Sequence, residues 1–437
     1  MNKRYLLISI LVIIALVATA CSGGGNSNSG NGQGNNQGNG ANADQDKPAE
    51  SVYLDFFHDK AGWVENLDKV GELIAENTGV GFKSVPTAGT TEYQTVVRQT
   101  LQGNNPPALF SWWSGFRMED IVKSGLVADL TEEWQRYYIP VEGINPDLAN
   151  AFSFEGKIYG APLSGSYWNV FYNKKVFDEY GLEEPKTWDE FIQVAETLKQ
   201  NGVTPLGLSF QGWQNFIWFA ELLAKYDPDL YADVMVGKAA YTDPGVVEVM
   251  EIYKDMLDKG YFSQPGKIDG DLLQDFIQGD IAMHLVGQWF NNNLMQAEMV
   301  PGEDYGAFIL PPIRDGVSPS VIFETGPILV AEHSKQKEDA LKALREFMKE
   351  DAQQLWIESQ GFAPIRPGVQ ATNAVTNKVF KDIEEGGHRL LQRYWEATPP
   401  QISEFAVEEL GRFILNPDQY KTVLETIENH AKQYWAQ

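Results

Sequence analysis

The chain has 437 residues, two to three times a typical domain of roughly 150, so more than one domain is expected. Hydrophobic residues make up 43% and charged residues 22%, which excludes wholesale disorder, and the one Cys excludes an internal disulfide and Cys-rich metal motifs. The formal charge of −26 repels phosphate backbones, and no local basic patch reverses that field, so no nucleic-acid partner is expected.

In chain order, Lys3-Arg4 precede a mostly apolar run from Tyr5 to Ala20 that ends in the small residues Ala18-Thr19-Ala20. The run is shorter than the roughly 20 residues of a spanning helix, so residues 1–20 read as a secretory signal peptide. Cys21 at the cleavage point resembles the bacterial lipobox, with Ala18 where Leu is usual. The resemblance implies lipidation of Cys21 and a lipid anchor at the outer face of the cell membrane. Ser22 to Ala43 holds only Gly, Asn, Ser, Gln and Ala, which cannot bury enough surface to offset ordering, so residues 21–50 are expected to be a flexible tether.

The body alternates short β-rich runs with helical patterns. Strands are expected at Val52–Phe57, Gly81–Val85, Ala108–Phe110, Val170–Asn173, Leu206–Ser209, Ile281–Val286, Ala307–Leu310 and Ile328–Val330. Thr187 and Glu190 form a capping box for a helix over 188–200, with Phe191, Val194, Ala195 and Leu198 as its buried stripe. Asp243-Pro244 opens another helix that Gly260 stops, and Tyr420 to Tyr434 marks a last long one. Strands separated by helices argue for α/β layers with mostly parallel sheets. No GxSxG, HExxH, CxxC or dinucleotide motif occurs, and the five His residues form no local metal pair. No cofactor or metal is therefore expected, and the balance moves toward a binding protein.

Three blocks resemble the extracellular solute-binding proteins of ABC sugar importers, the family that includes maltose-binding protein. They are Gly156-Lys157-Ile158-Tyr159-Gly160-Ala161-Pro162 with Phe171-Tyr172-Asn173-Lys174 and Pro185 to Phe191, then Phe276 to Met283 with Gly287-Gln288-Trp289, then Gly361 to Arg366. The resemblance implies an α/β, two-lobed periplasmic-binding-protein-like fold with discontinuous lobes and a hinge. By that pattern the N-terminal lobe is 51–163 plus 306–357 and the C-terminal lobe 164–305 plus 358–437. Ligand would lie in the cleft and hinge closure would bury it.

A sugar offers flat C–H faces to aromatic rings and a rim of hydroxyls to planar polar groups. The resemblance places stacking aromatics at Trp289, Trp112, Trp113 and Trp213, while Tyr167 and Trp168 lie near the lobe crossover, where strand alternation would bury one and present the other to the cleft. Its polar candidates are Asn215, Asp59, Lys60, Glu92, Tyr93, Glu324 and Arg366. Trp134, Trp188, Trp218, Trp356 and Trp435 lie in helical patterns and read as core. The family's late stacking Trp is absent, since Ala406 stands there, and its carboxylate near Trp112 becomes Gly115, which argues against a maltodextrin ligand. The resulting expectation is a monomeric, membrane-anchored lipoprotein that is not an enzyme. It would deliver a neutral oligosaccharide to ABC permease subunits. A secreted glycoside hydrolase and a sensory sugar-binding protein stay open as alternatives.

Overall fold

The computed structural model describes residues 51–210 and 212–436. The signal peptide, Cys21 and the whole tether to residue 50 lie outside the described residues. Among those described, the strands are β1 (Val52–His58), β2 (Val80–Pro86), β3 (Leu109–Ser111), β4 (Ser153–Phe154), β5 (Lys157–Ile158), β6 (Gly160–Pro162), β7 (Ser166–Asn173), β8 (Thr204–Gly207), β9 (Ile281–Gly287), β10 (Tyr305–Phe308), β11 (Ser320–Glu324), β12 (Pro327–Val330) and β13 (Arg389–Gln392). No described helix is long and apolar enough to cross a membrane.

Two larger sheets result. The first has the order β2-β1-β3-β12-β6, and the second β13-β11-β7-β9-β8, with β10 paired to β7. The helices form where the local signals put them. The Thr187–Glu190 capping box is made in full, and the Asp243 carboxylate accepts from the Gly245 amide at 2.9 Å at the start of the helix Pro244–Asp258. The last helix spans Tyr420–Trp435.

The sheets are mixed rather than mostly parallel. β1 runs parallel to β2 and β3, and β9 parallel to β8, as helical return connections require. β7 and β12 run antiparallel to their neighbours. Both follow a direct passage from one sheet to the other, at 163–165 and at 325–326. A strand entering that way starts at the edge where the helix-returned strands end, so it must run against them. The passage at 325–326 also moves the expected lobe boundary. Residues 306–324 were expected with the first lobe, yet β10 and β11 pair with β7 and β13 in the second sheet.

Burial follows the pleat of β7. Tyr167 and Phe171 join the buried cluster that runs from the first sheet through Leu54, Phe56, Phe110 and Leu329. Trp168 and Val170 point to the opposite face and join Phe191, Leu198, Trp218, Val249 and Leu424. Trp134, Trp218 and Trp356 are buried as expected, and Trp188 is half-buried against Phe191. Trp435, expected in the core, is 39% exposed, because it ends the last helix beyond the packed stripe.

The helix Val64–Thr78 lies directly on β2 through two glycines. A Cβ on Gly71 would sit 2.0 Å from the Phe82 carbonyl oxygen, and one on Gly81 would sit 2.1 Å from that of Gly71. On an exposed helix, Gly→Ala is favourable by about 1 kcal/mol. Here the backbone clash reverses the sign. Gly71→Ala is expected to lower the unfolding free energy by about 1–3 kcal/mol in urea titrations; an unchanged or raised midpoint would show that the two backbones do not touch.

Candidate functional site

A cavity of about 260 Å³ opens where the strands of the two sheets end toward each other. Ligand crevices at the carboxyl ends of parallel strands are a general property of open α/β sheets. Here β1 and β3 reach the cavity from one sheet, and β9, β11 and β13 from the other. Between them pass three crossovers, at Leu163–Ser166, Thr325–Gly326 and Gly361–Phe362. They are joined side by side. The Leu163 amide donates to Gly326 oxygen at 3.0 Å, the Thr325 hydroxyl to Ser164 oxygen at 2.6 Å, and the Ala363 amide to Gly165 oxygen at 3.1 Å.

Beyond β1, His58 is fully buried, and burial holds its imidazole below the usual range; its Nδ1 accepts from the Lys60 amide at 3.2 Å. Asp59 and Lys60 follow as an ion pair at 2.9 Å on the cavity wall. Trp63 comes next, its ring edge-on to Trp356 at 5.6 Å and to Phe362 at 6.1 Å. Beyond β3, Trp112 is 5% exposed. It is held by a hydrogen bond from its indole nitrogen to the Arg117 carbonyl (3.1 Å) and by an edge contact with Trp113 at 5.2 Å. Tyr93 sits beneath both, its hydroxyl donating to Ser111 oxygen at 2.6 Å and burial pushing its phenol well up.

Beyond β9, Gly287 lets the Trp289 indole fold back over the chain. A Cβ there would lie 1.8 Å from the ring, so no other residue permits this pose. Trp168 braces that indole edge-on at 5.4 Å.

The β11 and β13 ends supply the charge. The Arg393 amide donates to Phe323 oxygen at 2.9 Å, which carries the parallel pairing one step past Phe323–Gln392 and sets Arg393 beside Glu324. Arg393 forms ion pairs with both Glu324 and Glu396, the Nε–H donating to Glu396 at 2.8 Å. Burial pushes the Glu324 carboxyl up to about 7; Arg393 pulls against that rise and Glu396 adds to it.

Of the residues expected from sequence, Trp289, Trp112, Trp113, Asp59, Lys60, Tyr93 and Glu324 line this cavity together. The others lie elsewhere. Trp168 (1% exposed) and Tyr167 (3%) are both buried, although alternation was expected to present one of them, because both faces of β7 are covered. Tyr167 stacks on Phe380 at 6.1 Å. Trp213 packs beneath Trp289 at 6.4 Å and carries the Arg393 guanidinium over its ring at 5.4 Å, so it faces a cation of the protein. Asn215 donates to the Val407 carbonyl at 3.2 Å, on the helix Pro400–Leu415. Glu92 is exposed, with its carboxylate turned back on Gly89. Arg366 is tied to Glu142 at 2.6 Å and to the Met348 carbonyl, away from the cavity.

Sequence reasoning missed Trp63, Phe362, Gln288, Arg393 and Glu396 as cavity residues. Gln288 and Phe362 lay inside quoted motifs, and proximity to Trp289 and to the third crossover was the available signal. Arg393 and Glu396 sit in no motif, and only the folded register of β11 against β13 brings them to Glu324.

Comparison with known proteins agrees with this geometry. The bacterial extracellular solute-binding protein family model matches residues 69–381. A probable sugar-binding periplasmic protein of Brucella suis is 24% identical over 331 residues, covering 72% of this chain and 75% of that protein. Among solved structures, a chitin oligosaccharide binding protein superimposes with a TM-score of 0.71 at 21% identity, covering 88% of this chain and 99% of that one. The bacterial solute receptor AcbH, described with an exclusive preference for β-D-galactopyranose, superimposes with a TM-score of 0.74 at 21% identity over 88% of this chain and 98% of its own. The two-lobed α/β fold is thus shared with these binding proteins. With its family model covering well over half its length, the chain belongs to the bacterial extracellular solute-binding proteins.

Proposed function

We propose that the protein captures a neutral carbohydrate, in particular an oligosaccharide, outside the cytoplasm and delivers it to an ABC importer. One observation carries this reading: aromatic side chains and paired charges line the same cavity. Trp63, Trp112, Trp113, Trp289 and Phe362 offer faces for sugar C–H surfaces, while Asp59–Lys60 and Glu324–Arg393–Glu396 offer both donors and acceptors to hydroxyls. Trp168 and Trp213 act in this reading from behind, bracing Trp289 and Arg393. One lobe is built on the five-stranded sheet and the other on the six-stranded sheet. The three hydrogen-bonded crossovers serve as their hinge, and closure buries the ligand. The signal peptide and a lipid on Cys21 hold the body, as a monomer, at the outer face of the membrane. The sugar-binding relatives and the matched family support this role.

A glycoside hydrolase is the second reading that a specific observation favours. Three carboxylates, Asp59, Glu324 and Glu396, line the cavity, and Glu324 is shifted toward neutrality as a general acid would be. Arg393 engages Glu324 and Glu396, however, which suits a fixed binding surface better than proton transfer. Incubation with labelled oligosaccharides separates the two, since products at substoichiometric protein support the hydrolase and stoichiometric binding without products supports the carrier.

Stacking on Trp289 makes a direct prediction. Trp289→Ala is expected to weaken the best sugar about tenfold or more, roughly 1.4 kcal/mol, in fluorescence titrations. Equal affinity in variant and wild type would remove Trp289 from the site.

The shift at Glu324 makes another. Its folded pKa of about 7 lies above the ordinary 4.5. The folded state therefore holds the extra proton, and the resulting stability is fully present below about 4.5 and lost as pH rises through 7. Relative to Glu324→Gln, wild-type melting temperature is expected to fall between pH 4.5 and 7.5. Parallel pH profiles for the two proteins would show that Glu324 is an ordinary carboxylate.

A further inference from the structure

We propose that Arg393 is the specificity-determining residue of the cavity, a guanidinium fixed by Glu324 and Glu396 so that its remaining N–H groups select one hydroxyl orientation of the bound sugar ring. The inference rests on the carbohydrate-binding reading above.

Four features single Arg393 out. It lines the cavity, yet its side chain is only 13% exposed. A guanidinium carries five N–H donors in a rigid plane. Glu396 takes two of them and Glu324 faces a third, which leaves two fixed in direction by the other three. Behind the plane, the Trp213 ring at 5.4 Å blocks rotation out of the network. The backbone is equally constrained, with the Arg393 amide bonded to Phe323 oxygen and the Glu396 amide to Arg393 oxygen at 3.0 Å.

Indole faces discriminate poorly among epimeric sugars, because each epimer presents some C–H face. A fixed donor discriminates strongly, since a hydroxyl that points elsewhere leaves a buried polar group unpaired. Lys60, the other cation of the cavity, is 48% exposed on a flexible stem and lacks this fixity. The carboxylates set the ligand's charge as well. Glu324, Glu396 and Asp59 face Arg393 and Lys60, so neither an anionic nor a cationic ring gains a uniform field.

The test measures a ratio of affinities. Wild type, Arg393→Lys and Glu396→Gln would be titrated calorimetrically with glucose, galactose, mannose, xylose and their disaccharides, then with monodeoxy analogues of the tightest binder. In wild type, one deoxy position is expected to cost about 10- to 150-fold, the range of a hydrogen bond to a charged group. In Arg393→Lys that penalty should shrink below about threefold, because a single ammonium cannot serve both glutamates and hold the same direction. In Glu396→Gln, which keeps Arg393 but loosens it, the penalty should fall by about three- to tenfold. A merely structural arginine would lower affinity for all sugars alike and leave the ratio unchanged, and that result in either folded variant overturns the inference while sparing the carrier. If Arg393→Lys does not fold, Glu396→Gln decides. If wild type binds none of these sugars, the carbohydrate reading falls and the inference falls with it.

Discussion

The hydrogen bonds that join the three crossovers are the constraint on which the rest of the molecule depends. Leu163 to Gly326, Thr325 to Ser164 and Ala363 to Gly165 bring chain segments from distant parts of the sequence side by side. The first two pass directly from one sheet to the other, the third leaves the helix Glu350–Gln360, and each satisfies backbone polar groups on its neighbours. Once those passages are fixed, the strands that end beside them must deliver their following loops to the same place. The cavity is the result. Asp59, Trp112, Gln288 and Arg393 meet because β1, β3, β9 and β13 all end at the line of crossovers.

Within that frame the cavity wall combines two kinds of group, to which the proposed carbohydrate binding assigns different tasks. Aromatic rings have poses set by tight backbone geometry, as at Gly287, or by buried hydrogen bonds, as at Trp112, and in that proposal they supply area. Charged groups have directions set by one another, and in that proposal they supply discrimination. Arg393 is held by Glu324 and Glu396, and it is the ion-pair partner that those two carboxylates share. Several aromatics expected at the ligand act one layer back. Trp213 presents its face to Arg393 and packs at a tilt on Trp289, and Trp168 braces Trp289. Their sequence neighbourhood was informative, but their burial is decided by the helices that cover the second sheet.

How the site residues were legible differs by residue. Trp289 was legible because Gly287-Gln288-Trp289 matches a motif of the family, and the structure adds that Gly287 lets the indole fold over its own strand end. Asp59, Lys60, Trp112 and Trp113 were legible because they match family segments that follow readable strands. Tyr167 and Trp168 misled for a physical reason: alternation along a strand predicts which side a residue takes, and it is silent on whether that side is covered. Arg366 looked like a binding group from its motif, yet Glu142 and the Met348 carbonyl satisfy it at 2.6 and 3.1 Å. Nothing local could have named those partners.

The sequence by itself determined the helices with complete caps, the longer strands, the family and most of the aromatic wall, because these depend on residues close together in the chain. It left β4, β5, β6, β11 and β13 unread. The antiparallel course of β7 and β12, the return to the first sheet at 325–326, and the union of Glu324 with Arg393 belong to tertiary structure alone. Each arises from pairing between segments far apart in the chain, and such pairing is fixed only when the two sheets fold around their shared crossovers.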